Sequence, residues 1–315
     1  MEMTAWLTLA IFSVTILVVI TGVIDRSVAA MLGVALMVWC GIMSEVEAFL
    51  FVDWNVMAIL ASVWVIAGYF GKTGVPEWIS VQALRLSGGN GGLLVMILSL
   101  MAGLLSVVVD NVVVILMLAP VAFPIIRHMR LPLTPVILMI GFSANFMGTA
   151  LLLGDLPPQM LHSVAGAEFL DFIWQDGRPS SFPILMVTFA LTLGIMYIYG
   201  FRRNPGAAPP PVEAEPIGAG TNPFDARIPD PLFAFIVVGG FILTIVAMAF
   251  RQILGVKLGF IALSGALGLI LILEIFGSRL KKPDLEEILQ ELDWRAVLFY
   301  VALFALVGSL EKTSI

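Results

Sequence analysis

Two apolar stretches of the sequence carry polar residues of the kinds that bind ions or small substrates. The first, residues 93–126, is interrupted by Asp110-Asn111. The second, residues 135–161, contains SANFMGT at positions 143–149 and GDLPP at positions 154–158. A carboxylate in hydrocarbon is costly, so it usually faces a partner, a cavity or a transported ion. Hydrophobic segments broken by Gly and Pro point to the substrate site of a secondary transporter.

The candidate substrate- and ion-binding residues are short polar side chains or small residues at these two interruptions. They are Asp110, Asn111, Ser143, Asn145, Gly148, Thr149, Gly154, Asp155 and Pro157. Asp110 could coordinate sodium or carry a proton, and the asparagines suit sodium or a substrate. The structural alternatives are a helix-capping Asp, turn-forming Asn, close packing at the small residues and a solvated turn for Asp155.

The composition predicts an all-α polytopic membrane protein. Of the 315 residues, 60% are hydrophobic and only 12% are charged, whereas soluble domains average about 25% charged residues. No basic cluster with interleaved aromatics suggests nucleic acid. Two His and one Cys exclude a His/Cys metal site. The apolar surroundings of Cys40 predict that it is buried.

The same residues argue against an enzyme. An intramembrane aspartyl protease is the alternative to consider, because two Asp residues lie in apolar segments. Such enzymes use a tyrosine-Asp pair and a Gly-x-Gly-Asp sequence. Here Val109 precedes Asp110, and Leu152 occupies the place of the first Gly before Asp155.

The predicted membrane segments follow from the need for about 20 apolar residues per span. Spans are predicted near 4–23, 27–43, 54–71, 183–201, 231–250, 257–276 and 294–311, with a re-entrant hairpin near 92–126 and a broken span near 134–161. The Pro/Gly/Ala-rich residues 204–230 predict a cytoplasmic linker. The linker divides a first membrane half, 1–203, from a second, 231–315.

The distribution of basic residues predicts the orientation. With the N-terminus outside, twelve of the 16 Lys and Arg residues fall in inner loops. A single crossing at 92–126 would invert everything after it, so the bias also favours a hairpin that returns to its own side. We expect a prokaryotic inner membrane or a membrane derived from it.

An internal repeat appears at an offset of 240 residues. Residues 52–75 align with 292–315, and Asp53, Gly68 and Lys72 recur as Asp293, Gly308 and Lys312. Glu47 likewise corresponds to Glu287. The predicted topology runs the two copies in opposite directions, which is an inverted repeat. The second copy stops at Ile315, so we expect a truncated second repeat and one half of a two-fold site.

The two interrupted segments resemble motifs of a known family. VVVDNVVVILMLAPVAFPI at 107–125 and SANFMGTALLLGDLPPQML at 143–161 resemble those of the ArsB/NhaD permeases of the ion transporter superfamily. That group contains arsenite permeases, NhaD-type sodium/proton antiporters and the P protein, and it is related to divalent anion/sodium symporters and citrate carriers. The chain departs from the pattern at the inserted Leu156 and at Gln159.

The resemblance implies an elevator-type, homodimeric carrier with a scaffold and a mobile transport domain. We therefore expect a secondary active transporter of an inorganic or small organic anion, or a sodium/proton antiporter. The hairpin tip and the unwound span would form half of its site. Sodium or a proton would be the coupling ion and no other cofactor is expected, with Asp110, Asn111 and Asn145 as candidate sodium ligands. The alternative is a non-transporting membrane scaffold or an inactive fragment.

Overall fold

The computed structural model describes residues 2–88, 90–128, 131–202, 228–277 and 280–313, which are almost entirely helical. The helices are α1 (Glu2–Thr21), α2 (Arg26–Trp39), α3 (Glu45–Leu50), α4 (Trp54–Gly71), α5 (Val75–Leu86), α6 (Gly91–Ser106), α7 (Asn111–His128), α8 (Leu133–Gly148), α9 (Leu156–Ala165), α10 (Ser181–Met196), α11 (Pro231–Ala249), α12 (Arg251–Leu254), α13 (Leu258–Ile275), α14 (Leu285–Glu291) and α15 (Trp294–Lys312). A 3₁₀ turn (Phe169–Phe172) and two antiparallel strands, β1 (Trp174–Gln175) and β2 (Arg178–Pro179), precede α10.

This architecture confirms the all-α polytopic membrane fold. Among the described residues, six helices are long and apolar enough to cross a bilayer: α1, α4, α10 with its extension, α11, α13 and α15. Helices α2, α6 and α8 are apolar but shorter. Most of the predicted linker, residues 204–230, lies outside the described residues.

Two details differ from the sequence predictions. The span expected at 27–43 is a helix of only 14 residues, because Gly41 adopts φ +70° and ends it. Cys40, which caps that helix, is exposed rather than buried. The span expected at 183–201 changes at Met196 into a π-helical turn, Tyr197–Arg202.

The chain forms two compact units. Unit 1 comprises Met1–Ala61 and Glu291–Ile315, and unit 2 comprises Ser62–Gln290. The boundary falls inside α4 and does not follow the linker, so the division into sequence halves stays a prediction about the repeat.

In unit 1, α15 packs against α2 and α3, and α1 packs against α2. The buried core contains Met37, Met43, Ala302 and Leu306. In a bilayer, van der Waals contacts between such side chains supply much of the attraction between helices. The Lys312 ammonium lies 2.7 Å from a carboxylate oxygen of Glu47.

Charged residues at the opposite end of α15 also pair in unit 1. Arg26 lies 3.2 Å from Asp293, and Arg295 lies 3.6 Å from Asp25. Both acids are helix caps: Asp25 accepts from the Ser27 N–H and Asp293 from the Ala296 N–H. Asp293 therefore has a structural role as the N-cap of α15.

In unit 2, α6 packs extensively on α8, α7 packs on both, and α11 packs on α13. Asp230 caps α11 and also accepts from the backbone N–H of Lys281, which follows α13. The ends of α11 and α13 nearest these residues therefore lie on one side. At the other end of α11, Arg251 forms an ion pair with Glu168.

The ion pairs of unit 2 indicate at which end of α11 the residues before the hairpin and after the broken span lie. Lys72, at the end of α4, lies 2.9 Å from Glu287 on α14, close in sequence to Lys281. Lys72 is therefore on the Asp230 side, and Glu168 is on the other. The chain between Lys72 and Glu168 makes one net crossing, as expected if α6–α7 returns and α8–α9 crosses.

Two of these pairs are related by the 240-residue offset. Lys72 pairs with Glu287 in unit 2, and the equivalent Lys312 pairs with the equivalent Glu47 in unit 1. Gly68 and Gly308, which are also related by this offset, have corresponding neighbours. A Cβ on Gly68 would lie 3.0 Å from the Ile288 side chain on α14, and one on Gly308 would lie 2.4 Å from the Phe51 ring beside α3. In each unit the end of the span from one predicted copy meets the acidic helix from the other predicted copy.

Candidate functional site

The predicted hairpin is present, and its tip is the turn between α6 and α7. Asp110 is 5% exposed, and its Oδ1 accepts from the Val112 N–H at 2.9 Å and the Val113 N–H at 3.4 Å. The first N–H groups of a helix have no partner inside the helix, and hydrocarbon supplies no water for them. Asp110 therefore caps α7, which is the structural alternative considered for it.

The broken span is also present, with residues 149–155 separating α8 from α9. Asp155 caps α9 by accepting from the Leu156 N–H at 2.8 Å. Pro157 and Pro158 occupy the first turn of α9, where their missing N–H groups cost nothing. The inserted Leu156 is thus the first residue of the second helix.

Asn111 joins the hairpin tip to both sides of the break. Its Nδ2 donates to Asn145 Oδ1 at 2.8 Å and to Asp155 Oδ2 at 3.0 Å. Both protons of the amide are therefore used. When Asp155 is ionised it can only accept, which fixes the direction in which the Asn111 amide points. The bond to a charged acceptor is the stronger of the two.

The α6 end, the α8 end and Gly154 approach one another closely. A Cβ on Gly154 would lie 2.4 Å from the carbonyl oxygens of both Gly148 and Ser106. A Cβ on Gly148 would lie 3.0 Å from the Ser106 Oγ and 3.5 Å from the Asp155 Cβ. Glycine is required at 154 because both neighbours are main-chain atoms that cannot rotate away.

Ser106 was missed by the sequence analysis, although it lies at the end of the first hairpin arm. It is fully buried, and its Oγ has no hydrogen-bond partner among the described residues. Buried hydroxyls are normally satisfied. The Ser106 Oγ and O and the Gly148 O form what we call the oxygen cradle. Such oxygens suit a hard cation such as sodium.

The remaining predicted residues face two separate cavities. Ser143 and Asn145 line one of about 280 Å³ between α8 and α10, with apolar walls that include Phe142 and Phe189. Thr149 and Pro157 line another of about 350 Å³ beside Asp171 and Ser181. The structure therefore brings Asn111, Asn145 and Asp155 into contact but does not gather all nine residues around one cavity.

The candidate sodium ligands fit only in part. Asp110 directs one oxygen to the α7 N–H groups, and Asn111 uses its amide as a donor, so neither presents those atoms to a cation. No group of three or more His, Cys, Asp or Glu suited to a metal occurs among the described residues.

The sequence profile of the citrate transporter family, CitMHS, matches residues 16–315. The chain belongs to this family. It is a membrane transporter by family, and its apolar helices make it an integral membrane protein. The resemblance predicted from the motifs is confirmed.

Curated relatives agree with this assignment. A 46 kDa membrane protein of Mycobacterium leprae is 26% identical over 313 residues, covering 98% of this chain and 68% of the relative. An uncharacterized transporter of Mycobacterium tuberculosis is 27% identical over 298 residues, 93% of this chain and 65% of its own. The P protein of Homo sapiens is 29% identical over 148 residues, 45% of this chain and 18% of its own. The chain spans about two thirds of the length of the two mycobacterial proteins.

Proposed function

We propose that this transporter moves a small organic anion such as citrate, coupled to a cation, and that the hairpin tip and the broken span form half of its site. The observation that carries the proposal is the Asn111 amide, which bonds Asn145 on one side of the break and Asp155 on the other. A ligand bound at this bridge would hold the hairpin tip, α8 and the start of α9 in one arrangement.

Two helix N-termini meet at this bridge. Helix α7 begins at Asn111, and α9 begins beside Asp155. The N-terminus of a helix carries roughly half a positive charge and attracts anions. Asn145 is exposed, and its Oδ1 is already occupied, so its amide N–H groups are the free donors for a carboxylate. The family's name as a citrate transporter supports this substrate class.

The local charges explain why a cation would accompany the anion. Asp110 precedes Asn111, which donates to Asp155, so the two carboxylates lie in one cluster and repel each other when both are ionised. A cation in the oxygen cradle, beside Asp155, would offset that repulsion. The cradle therefore supports sodium as the coupling ion. The sodium/proton antiporter remains the second candidate, carried by the same carboxylates.

The wider mechanism belongs to the same proposal. The two ion pairs related by the 240-residue offset support an inverted repeat, in which the second copy supplies the other half of the site. Alternating access by elevator movement and a homodimer follow from the family resemblance.

The test is citrate uptake by the purified chain in proteoliposomes, with and without sodium and pH gradients. We expect sodium-stimulated uptake, and at least a tenfold loss in Asn111→Ala, since two lost hydrogen bonds at about 1–3 kcal/mol each exceed the ~1.4 kcal/mol of one factor of ten. Asn90→Ser is the control, because it removes an asparagine from the same hairpin and keeps a capping oxygen for α6.

Each outcome decides one part of the proposal. Full citrate uptake by Asn111→Ala would contradict the assignment of the substrate site to the hairpin tip and the broken span. No uptake by the folded, reconstituted chain would favour the inactive fragment or scaffold. Sodium-driven proton movement without citrate would favour the antiporter.

A further inference from the structure

Glu77 carries a half-buried carboxyl that the proposed site does not use. It is the third residue of α5, the helix that connects α4 to the hairpin. Its Oε2 is inaccessible and has no hydrogen-bond partner among the described residues. An ionised carboxylate there loses hydration at Oε2 without gaining a partner for that oxygen, so this partial burial favours the neutral acid.

Helix α5 is docked on the hairpin. It packs against both arms, α6 and α7, and its Val81 and Ala83 are almost fully buried. Glu77 precedes Val81 by one helical turn, so the two lie on the same face. Trp78 and Leu86 are exposed. The helix follows Gly74, whose φ of +76° gives a sharp turn where the arm leaves α4.

The charged surroundings of Glu77 are sparse. Helix α6 carries no titratable residue, α7 carries only Arg127 and His128, both in its last turn, and α5 itself carries Arg85 in its last turn. Burial raises the pKa of Glu77, against a smaller lowering by its own backbone N–H. The α5 dipole also favours the anion, so a change of pH can shift the balance.

We propose that Glu77 is a proton-binding site that couples protonation to the docking of α5 on the hairpin. The neutral carboxyl stays buried against the hairpin with α5 docked. The carboxylate, formed when the proton leaves to water, draws the start of α5 toward solvent and loosens the contact. This rests on the proposed transport function only in making the hairpin the moving part.

Cysteine accessibility tests the docking without any transport. In a Cys40→Ser background, Val81→Cys reports the docked face, and Leu86→Cys on the same helix corrects for the pH dependence of thiol chemistry. We expect the Val81→Cys rate, relative to Leu86→Cys, to rise as pH increases, by up to about tenfold per pH unit of Glu77 pKa shift. In Glu77→Gln the ratio of the two labelling rates should stay low and independent of pH. Glu45→Gln, which changes an exposed glutamate, is the control and should leave the rise with pH unchanged.

Thermal unfolding against pH provides the second measurement, in case Val81→Cys disturbs packing. Because the folded-state pKa is raised, the contribution of Glu77 is complete below its unfolded value and is lost as pH rises through its folded value. The melting temperature of the unsubstituted chain should fall over that range relative to Glu77→Gln. Equal curves for the two chains, or a pH-dependent labelling ratio in Glu77→Gln, would overturn the proposal.

Transport results separate the two proposals. The combination of pH-dependent labelling with no citrate uptake would support the Glu77 site and contradict the proposed function. Citrate uptake with a labelling ratio that does not change with pH would support the proposed function and contradict the Glu77 site.

Discussion

At the scale of single residues, Gly154 has the most constrained position at the site. A methyl group there would lie 2.4 Å from two carbonyl oxygens, one from the hairpin and one from α8. Contacts this short require the backbone to shift, which would open the oxygen cradle. The residue thus determines the spacing of the elements that form the cradle.

We therefore expect Gly154→Ala to reduce uptake by at least tenfold, since a backbone displacement of about 1 Å can cost ~100-fold in a positioned site. The control is Gly194→Ala on α10, where a Cβ would have no atom within 4 Å. That change should leave uptake intact and favour the helix by about 1 kcal/mol. Proteoliposome flux and the melting temperature measure both effects. Equal uptake by the two variants would contradict the role of the cradle.

Residue types predicted part of this site. Polar residues in an apolar run could be recognised without a structure, because few functions justify their cost. Whether Asp110 binds an ion or caps a helix could not be decided, since both roles use the same carboxylate in the same turn. Ser106 could not be predicted as a site residue because serines are common in membrane helices. Only its proximity to Gly148 in the structure marks it as part of the site.

At the scale of elements, the breaks were predicted well and the helix ends less well. The hairpin and the broken span follow from Asp-Asn and Gly/Pro signals that are local in sequence. The end of α2 at Trp39 depends on Gly41 and on packing in unit 1, so hydrophobicity alone placed it four residues late.

The acidic helices α3 and α14 provide an element-level prediction. Lys312 and Ser44 lower the pKa of Glu47 to about 2 from its ordinary 4.5. A lowered pKa means that the contribution of Glu47 to stability is present above pH 4.5 and is lost as pH falls toward 2. Lys312→Glu should slightly lower the melting temperature at pH 7, and adding Glu47→Lys should restore it.

The control for this exchange is Glu45→Lys combined with Lys312→Glu. Glu45 is on the same helix, is exposed and should not rescue the reversed charge. Rescue by Glu45→Lys as strong as that by Glu47→Lys would show that only net charge matters. The contact between the span and the acidic helix would then be unnecessary for stability.

At the scale of the whole molecule, the membrane sides inferred from the basic residues stay a prediction. Lys72–Glu287 and Glu168–Arg251 each join residues assigned to the same side. The two compact units could not be predicted from the linker, because contacts between residues far apart in sequence determine them.

Labelling by a membrane-impermeant maleimide checks the sides. In a Cys40→Ser background, Gln175→Cys on β1 should react in intact cells, and Glu286→Cys on α14 should react only after permeabilisation. The reverse pattern would correct the orientation while keeping the hairpin. Reaction of both cysteines from one side would contradict the single net crossing between Lys72 and Glu168.

The two main-chain carbonyl oxygens beside Gly154 also limit which mutations can compensate for the loss of this glycine. Carbonyl oxygens are present whatever residue a codon specifies, so no change of side chain at Ser106 or Gly148 can remove the oxygens that an alanine at 154 would meet. A lineage that lost this glycine could regain its fit only by reverting at that codon or by rebuilding the backbone of the broken span. Substitutions of neighbouring side chains therefore cannot compensate for a change at this position.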